Sequence, residues 1–101
     1  MFAVMQIYTI EKKHRDEYLE AMKEVMKEAM DAGCTFFDLF EDDDRHGTFI
    51  EVMGFDSWSH YERLRKTEPS LRKQEIIRLL DTWIRGGLDA IEVRHLDALN
   101  L

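Results

Sequence analysis

A chain of 101 residues, 45% apolar and 35% charged, is long enough for one globular domain spanning 1–101 and too apolar for a disordered tail. Its formal net charge of −7 argues against unspecific binding to nucleic acid or to an anionic lipid surface. A single cysteine rules out an internal disulfide, and no apolar run approaches the roughly 20 residues that cross a bilayer. The expectation is a soluble cytoplasmic protein with neither a nucleic-acid nor a membrane partner.

The stretch from Val4 to Ile10 is short and apolar, with Gln6, Tyr8 and Ile10 on one side and Met5, Ile7 and Thr9 on the other. It predicts a first strand. From about Arg15 to Ala32, Tyr18, Met22, Val25, Met26 and Ala29 recur three and four apart and predict an amphipathic helix. Gly33 stands just past its last turn, where a terminating glycine belongs. A second strand is expected from about Cys34 to Glu41 and a third over Thr48 to Phe55, joined as a hairpin through a polar turn containing Gly47. Asp56 or Ser57 can cap a second helix with Trp58, Tyr61 and Leu64 on its apolar side. Pro69 and Ser70 open a further helical run, with Leu71, Ile76, Ile77, Leu80, Trp83 and Ile84 inward and Gly86-Gly87 ending it. Ile91 to Leu96 alternates as a fourth strand.

This order suits an α+β, ferredoxin-like fold with a four-stranded antiparallel sheet. Right-handed crossovers place the helices on one sheet face and leave the other bare. The second strand shows the consequence. Phe37 and Leu39 share one face while Phe36, Asp38 and Phe40 share the other, so the strand is apolar on both sides. Exposed apolar area costs about 25 cal/mol per Å², and a homodimer formed through the open sheet face removes that exposure. Asp38, between two phenylalanines, then needs a donor from a neighbouring strand or subunit.

Few residues announce chemistry. Glu41, Asp42, Asp43 and Asp44 echo the start of a calcium loop, but the twelfth position counted from Asp42 is Met53, where a bidentate glutamate is required. They read as a solvated turn. His14, His46, His60 and His95 lack metal-binding spacing, so no metal site is expected, and Cys34 reads as a buried structural thiol. Arg63, Arg65 and Lys66 form the nearest local basic group and read as the wet face of a helix. The aromatic inventory is richer. Tyr8, Phe37, Trp58, Tyr61 and Trp83 are among the rings that can line an apolar pocket between sheet and helices, suited to a small apolar ligand. Trp58, His60 and Tyr61 supply polar groups at its rim, or else both large rings are core and His60 faces solvent. Glu51, alone among apolar neighbours in the third strand, is the best candidate for a pocket carboxylate. Burial raises its pKa unless a partner such as Arg94 neutralises it.

Several stretches recur together in a known order: Tyr8-Thr9-Ile10 leading into Glu17-Tyr18-Leu19-Glu20-Ala21-Met22, then Gly33 to Asp42, Phe49-Ile50-Glu51-Val52 leading to Asp56-Ser57-Trp58, and Val93-Arg94-His95-Leu96. In order and spacing, over nearly the whole chain, they resemble the dimeric α/β-barrel superfamily that includes the antibiotic biosynthesis monooxygenase-like (ABM-like) domains. The resemblance implies a homodimer whose two sheets close into one barrel, with a ligand pocket between the sheet and helices of each subunit. It also implies a monooxygenase that needs no cofactor, neither metal nor flavin, and acts on a small aromatic or conjugated substrate. In such a reaction His60 or Glu51 is the catalytic base, Tyr8, Phe37, Trp58 and Trp83 shape the substrate pocket, and Tyr61 or Arg94 stabilises developing negative charge. Two alternatives stand beside it: a non-catalytic small-ligand-binding or dimerisation protein, and a haem-binding or haem-degrading protein. The chain departs from the relatives in places. Tyr61 stands where they often carry a histidine, Arg65 where a second is common, and the asparagine and haem-ligating histidine of the haem-degrading members have no counterpart.

Overall fold

A computed structural model describes residues 1–101. The chain forms β1 (Phe2–Thr9), a 3-10 turn (Lys12–His14), α1 (Arg15–Asp31), β2 (Phe36–Glu41), β3 (Thr48–Phe55), α2 (Trp58–Lys66), α3 (Leu71–Trp83), a second 3-10 turn (Leu88–Ala90) and β4 (Glu92–Asp97). The strands make one antiparallel sheet in the order β2-β3-β1-β4, which is the ferredoxin-like arrangement expected from the sequence.

Register sorts the side chains into two faces, because neighbours in a strand point opposite ways. On one face lie the rows Val4–Met53–Phe37, Gln6–Glu51–Leu39 and Tyr8–Phe49–Glu41. These meet Tyr18, Met22 and Ala29 of α1 and Ile76 and Trp83 of α3 in the main core. Tyr18, Phe49 and Phe55 are the largest fully buried side chains of that core. Burying a ring of this size stabilises the fold by roughly 1.5–3 kcal/mol. On the other face lie Met5–Val52–Asp38, Ile7–Ile50–Phe40 and Ala3–Gly54–Phe36, with Arg94 and Leu96 of β4 beside them. No helix packs there. Phe40 and Leu96 are accordingly exposed.

Local chemistry sets the ends of the elements. Gly33 takes φ +104° after α1, and Cys34 N–H returns to the Ala29 carbonyl at 3.1 Å. Ser57 caps α2 by accepting from His60 N–H at 3.2 Å, and Ser70 caps α3 by accepting from Lys73 N–H at 3.1 Å. The acidic turn closes on itself, with Asp44 N–H donating to Asp42 Oδ1 and Asp42 N–H to the Thr48 carbonyl. No helix is long and apolar enough to cross a membrane.

Three expectations change. β1 starts at Phe2, ahead of Val4, because Phe2 pairs with Phe55 on one side and Asp97 on the other. β2 starts at Phe36, since Cys34 turns inward and donates its Sγ hydrogen to the carbonyls of Phe36 and Gly54. Leu71, expected inside, is 83% exposed. It lies off the stripe made by Ile76, Ile77, Leu80 and Trp83, and Lys73 takes the first place on that stripe.

Candidate functional site

Glu51 sits in the middle of β3 on the helix-covered face, 6% exposed, between the inward-facing Phe49 and Met53. Its company comes from distant parts of the chain. Tyr8, two positions along β1 from the Gln6 paired opposite Glu51, donates its phenol to Glu51 Oε1 at 3.0 Å. Tyr18, from the inner side of α1, holds its hydroxyl 2.6 Å from that of Tyr8 and rests its ring on Phe49 at 4.7 Å. Each phenol has one proton. With Glu51 ionised, Tyr8 donates a hydrogen bond to the carboxylate and Tyr18 donates one to the Tyr8 hydroxyl. The result is a short directed chain of hydrogen bonds ending on a carboxylate.

Burial dominates the electrostatics. It pushes the Glu51 carboxyl up to about 7, against the hydrogen bond from Tyr8 and the charge of Lys73, both of which favour the ionised form. The same burial holds Tyr8 and Tyr18 well above the ordinary phenol range, so both stay neutral. Glu51 is therefore poised to exchange a proton near neutrality, whereas its two partners orient and solvate it.

Further along β3 lies a cleft of about 250 Å³ between sheet and helices, which none of Glu51, Tyr8 and Tyr18 lines. Met53 and Phe55 of β3, Tyr61 and Leu64 of α2 and Ile77 of α3 form its apolar walls, and Lys73 and Arg65 bring positive charge. Met53 is the next inward-facing residue after Glu51, so the carboxyl lies about 7 Å from that wall along the strand.

No protein-family model and no curated protein matches the chain. Solved structures do. An antibiotic biosynthesis monooxygenase is 20% identical, with a TM-score of 0.79 over 99% of this chain and 100% of its own. A candidate enzyme of the same name from Deinococcus radiodurans is 12% identical, with a TM-score of 0.80 over 100% of this chain and 95% of its own. A third, from Nitrosomonas europaea, is 10% identical, with a TM-score of 0.79 over 99% and 100%. The chain shares the ferredoxin-like fold of these antibiotic biosynthesis monooxygenase (ABM) structures. At such identities the likeness establishes the fold alone and leaves the chemistry to the side chains.

Within the ABM-like fold, the residues singled out from sequence fall into separate groups. Glu51 and Tyr8 are joined directly. Phe37 is buried beside them, opposite Met53. Trp58 and Tyr61 belong to an aromatic cluster with Phe2 and His95, whose ring centroids lie 5.0 to 5.8 Å apart. Tyr61 reaches from that cluster into the cleft wall, while Trp58 is 46% exposed. His60 stands edge-on to Phe55 and lines a different cleft, with Ala32, Arg63 and Thr67. Phe55 is two inward steps beyond Glu51, about 13 Å along the strand, so the two candidate bases do not share one site. Trp83 is buried against the His14 ring at the far end of α3. Arg94 is on the opposite sheet face, paired with Glu92, and Tyr8 is the residue that partners Glu51.

Two participants were missed. Tyr18 carried a signal, because a tyrosine on the inner stripe of a helix must find a partner for its hydroxyl. Lys73 carried another, as the one charge in line with Ile76, Ile77 and Leu80. No histidine lines the helix-side cleft of about 250 Å³.

Proposed function

We propose that the chain is a homodimeric, cofactor-independent monooxygenase of small aromatic or conjugated carbon acids, with Glu51 as the base. The observation that carries this reading is a buried carboxyl, pushed up to about 7 and held by Tyr8 and Tyr18, one inward-facing residue along β3 from the Met53 wall of a largely apolar cleft. A base poised near the working pH is the one that transfers a proton most effectively. The name borne by the structural neighbours supports the same chemistry.

Glu51 removes a proton from a methylene flanked by aryl or carbonyl groups. The cations of Lys73 and Arg65, both on the cleft lining, stabilise the resulting anion. The electron-rich anion combines with dioxygen to give a peroxide on that carbon. Glu51 returns its proton to the peroxide anion, and the hydroperoxide then loses water, its hydroxide leaving together with the remaining C–H proton, to give the carbonyl. One oxygen atom enters the product, the other leaves as water, and the substrate supplies all the electrons. Tyr61, Met53, Phe55, Leu64 and Ile77 of the cleft walls hold the flat substrate. Pairing through the open sheet face buries Phe36, Phe40, Ile50 and Val52, which are unpartnered in the single chain.

Oxygen uptake with a panel of anthrone-like and enolic compounds tests this. Glu51→Gln is expected to lower kcat at least ~100-fold, the low end for loss of a general base. His60→Gln serves as the comparison. Turnover of every accepted compound at the wild-type rate by Glu51→Gln removes the proposal. Tight binding of the same compounds without oxygen uptake by the wild type replaces it with a non-catalytic carrier.

A further inference from the structure

At the end of the sheet away from the helix-side cleft, a second and larger cleft of about 600 Å³ has the opposite character. Lys12, Arg15, Arg45, Arg85 and His46 line it, and Glu41 is its one carboxylate. That concentrates four of the 14 lysines and arginines of the chain, but only one of its 21 acids, in one concavity. Two of the cations are already answered. Arg15 grips Glu41 at 2.6 and 3.3 Å, and Arg85 reaches Glu11 at 3.2 Å. Those pairs brace the hairpin and the loop after α3, which is a sufficient structural role for both arginines. They do not account for Lys12 and Arg45, neither of which meets a carboxylate. The neighbouring Asp42, Asp43 and Asp44 stay out of the cleft lining.

The cleft is built on backbone. Ile10 N–H bonds the Gly47 carbonyl at 2.8 Å, Arg85 N–H bonds the Thr9 carbonyl at 2.8 Å, and Gly47 N–H bonds Glu41 Oε2 at 2.9 Å. These ties bring the 3-10 turn, the start of α1, the hairpin and the end of α3 to one place. Thr9 and Thr48 add hydroxyls 3.1 Å apart on the lining. Arg85 spends only its Nε on Glu11, so both of its terminal nitrogens remain able to donate.

We infer that this cleft binds a multiply charged anionic small molecule, a phosphate ester by class. Lys12 and Arg45 supply the uncompensated charge, and the free N–H groups of Arg85 and Arg15 supply directed hydrogen bonds. A phosphate fits better than a single carboxylate because its terminal oxygens accept donors arriving from several directions at once. The inference is independent of the Glu51 site.

Inorganic pyrophosphate, titrated into the wild-type protein and followed through backbone amide shifts, tests it. The expected shifts centre on Ile10, Lys12, Gly47, Thr48 and Arg85. The double variant Lys12→Gln/Arg45→Gln removes two exposed side chains without disturbing the core, and its Kd is expected to be at least ~10-fold weaker. Unchanged affinity in that variant, or shifts centred on Arg63, Arg65 and Lys66, overturns the site. Citrate binding as tightly as pyrophosphate overturns the phosphate class.

Discussion

Glu51 is a carboxyl in a place that disfavours its charge, and pH exposes that tension. Its folded pKa of about 7 lies above the ordinary 4.5, so the folded state binds the extra proton between those values. Stability from this group is fully present below about pH 4.5 and is lost as pH rises through 7. The difference corresponds to about 3 kcal/mol. Glu51→Gln should therefore be more favourable around pH 8 than around pH 4.5 by that amount in urea unfolding; an equal effect at both would mean that Glu51 is solvated. Tyr8→Phe acts in a known direction as well. The Tyr8 hydrogen bond lowers the Glu51 pKa, so its loss should move the proton-dependent limb of kcat to higher pH, and Tyr18 loses its partner at a cost of about 1–3 kcal/mol. A limb that stays in place would detach Tyr8 from the base. Part of this was legible in sequence: alternation set Tyr8 apart from Met5, Ile7 and Thr9, and Glu51 stood out as the one charge among apolar neighbours in its strand. Their contact was not, because the two are 43 positions apart and pair only through register.

At the scale of elements, α2 is the weakly anchored helix. It has no fully buried residue, and it leans on its Ser57 cap and on the contacts of Tyr61 with Phe2 and Phe55. Ser57→Ala should cost about 1 kcal/mol and speed amide exchange in α2 before it does so in α1. Uniform acceleration across the protein would place α2 in the same cooperative unit as the core. Because α2 supplies Tyr61 and Leu64 to the cleft, its opening would widen that cleft. Strand β3 is constrained differently. The Phe36 ring lies over Gly54, so close that a Cβ there would stand 2.1 Å from it. Gly54→Ala must displace that ring on the open face and should destabilise the fold by about 1–3 kcal/mol. The amphipathic pattern predicted α1 and β3 closely, since both bury one face along their whole length. It misplaced Leu71, because one apolar residue beside a cap says little about which way the first turn faces.

For the molecule as a whole, the open sheet face is the surface through which the proposed homodimer forms. Asp38 and Arg94 lie in one row across that face, on the opposite edge strands β2 and β4. Three strand spacings, about 14 Å, separate them, so they cannot pair within one chain. In the proposed dimer, a two-fold partner would bring the Asp38 edge of one copy toward the Arg94 edge of the other. Asp38→Arg or Arg94→Asp alone should weaken the dimer about tenfold or more by sedimentation, and the double exchange should restore it. Losses that simply add would give Asp38 another donor.

Periodicity, turn residues and the two-sided β2 strand were enough to specify the element order, the helix-covered face and the bare one. All are local consequences of where apolar side chains fall along the chain. Only the tertiary structure decided which polar groups meet. It joined Glu51 to Tyr8 and Tyr18, set His60 and Arg94 apart from them, and gathered Lys12, Arg15, Arg45 and Arg85 from separate segments. Hydrophobic patterning constrains faces without regard to direction, whereas a hydrogen bond or an ion pair depends on register and distance between segments remote in sequence.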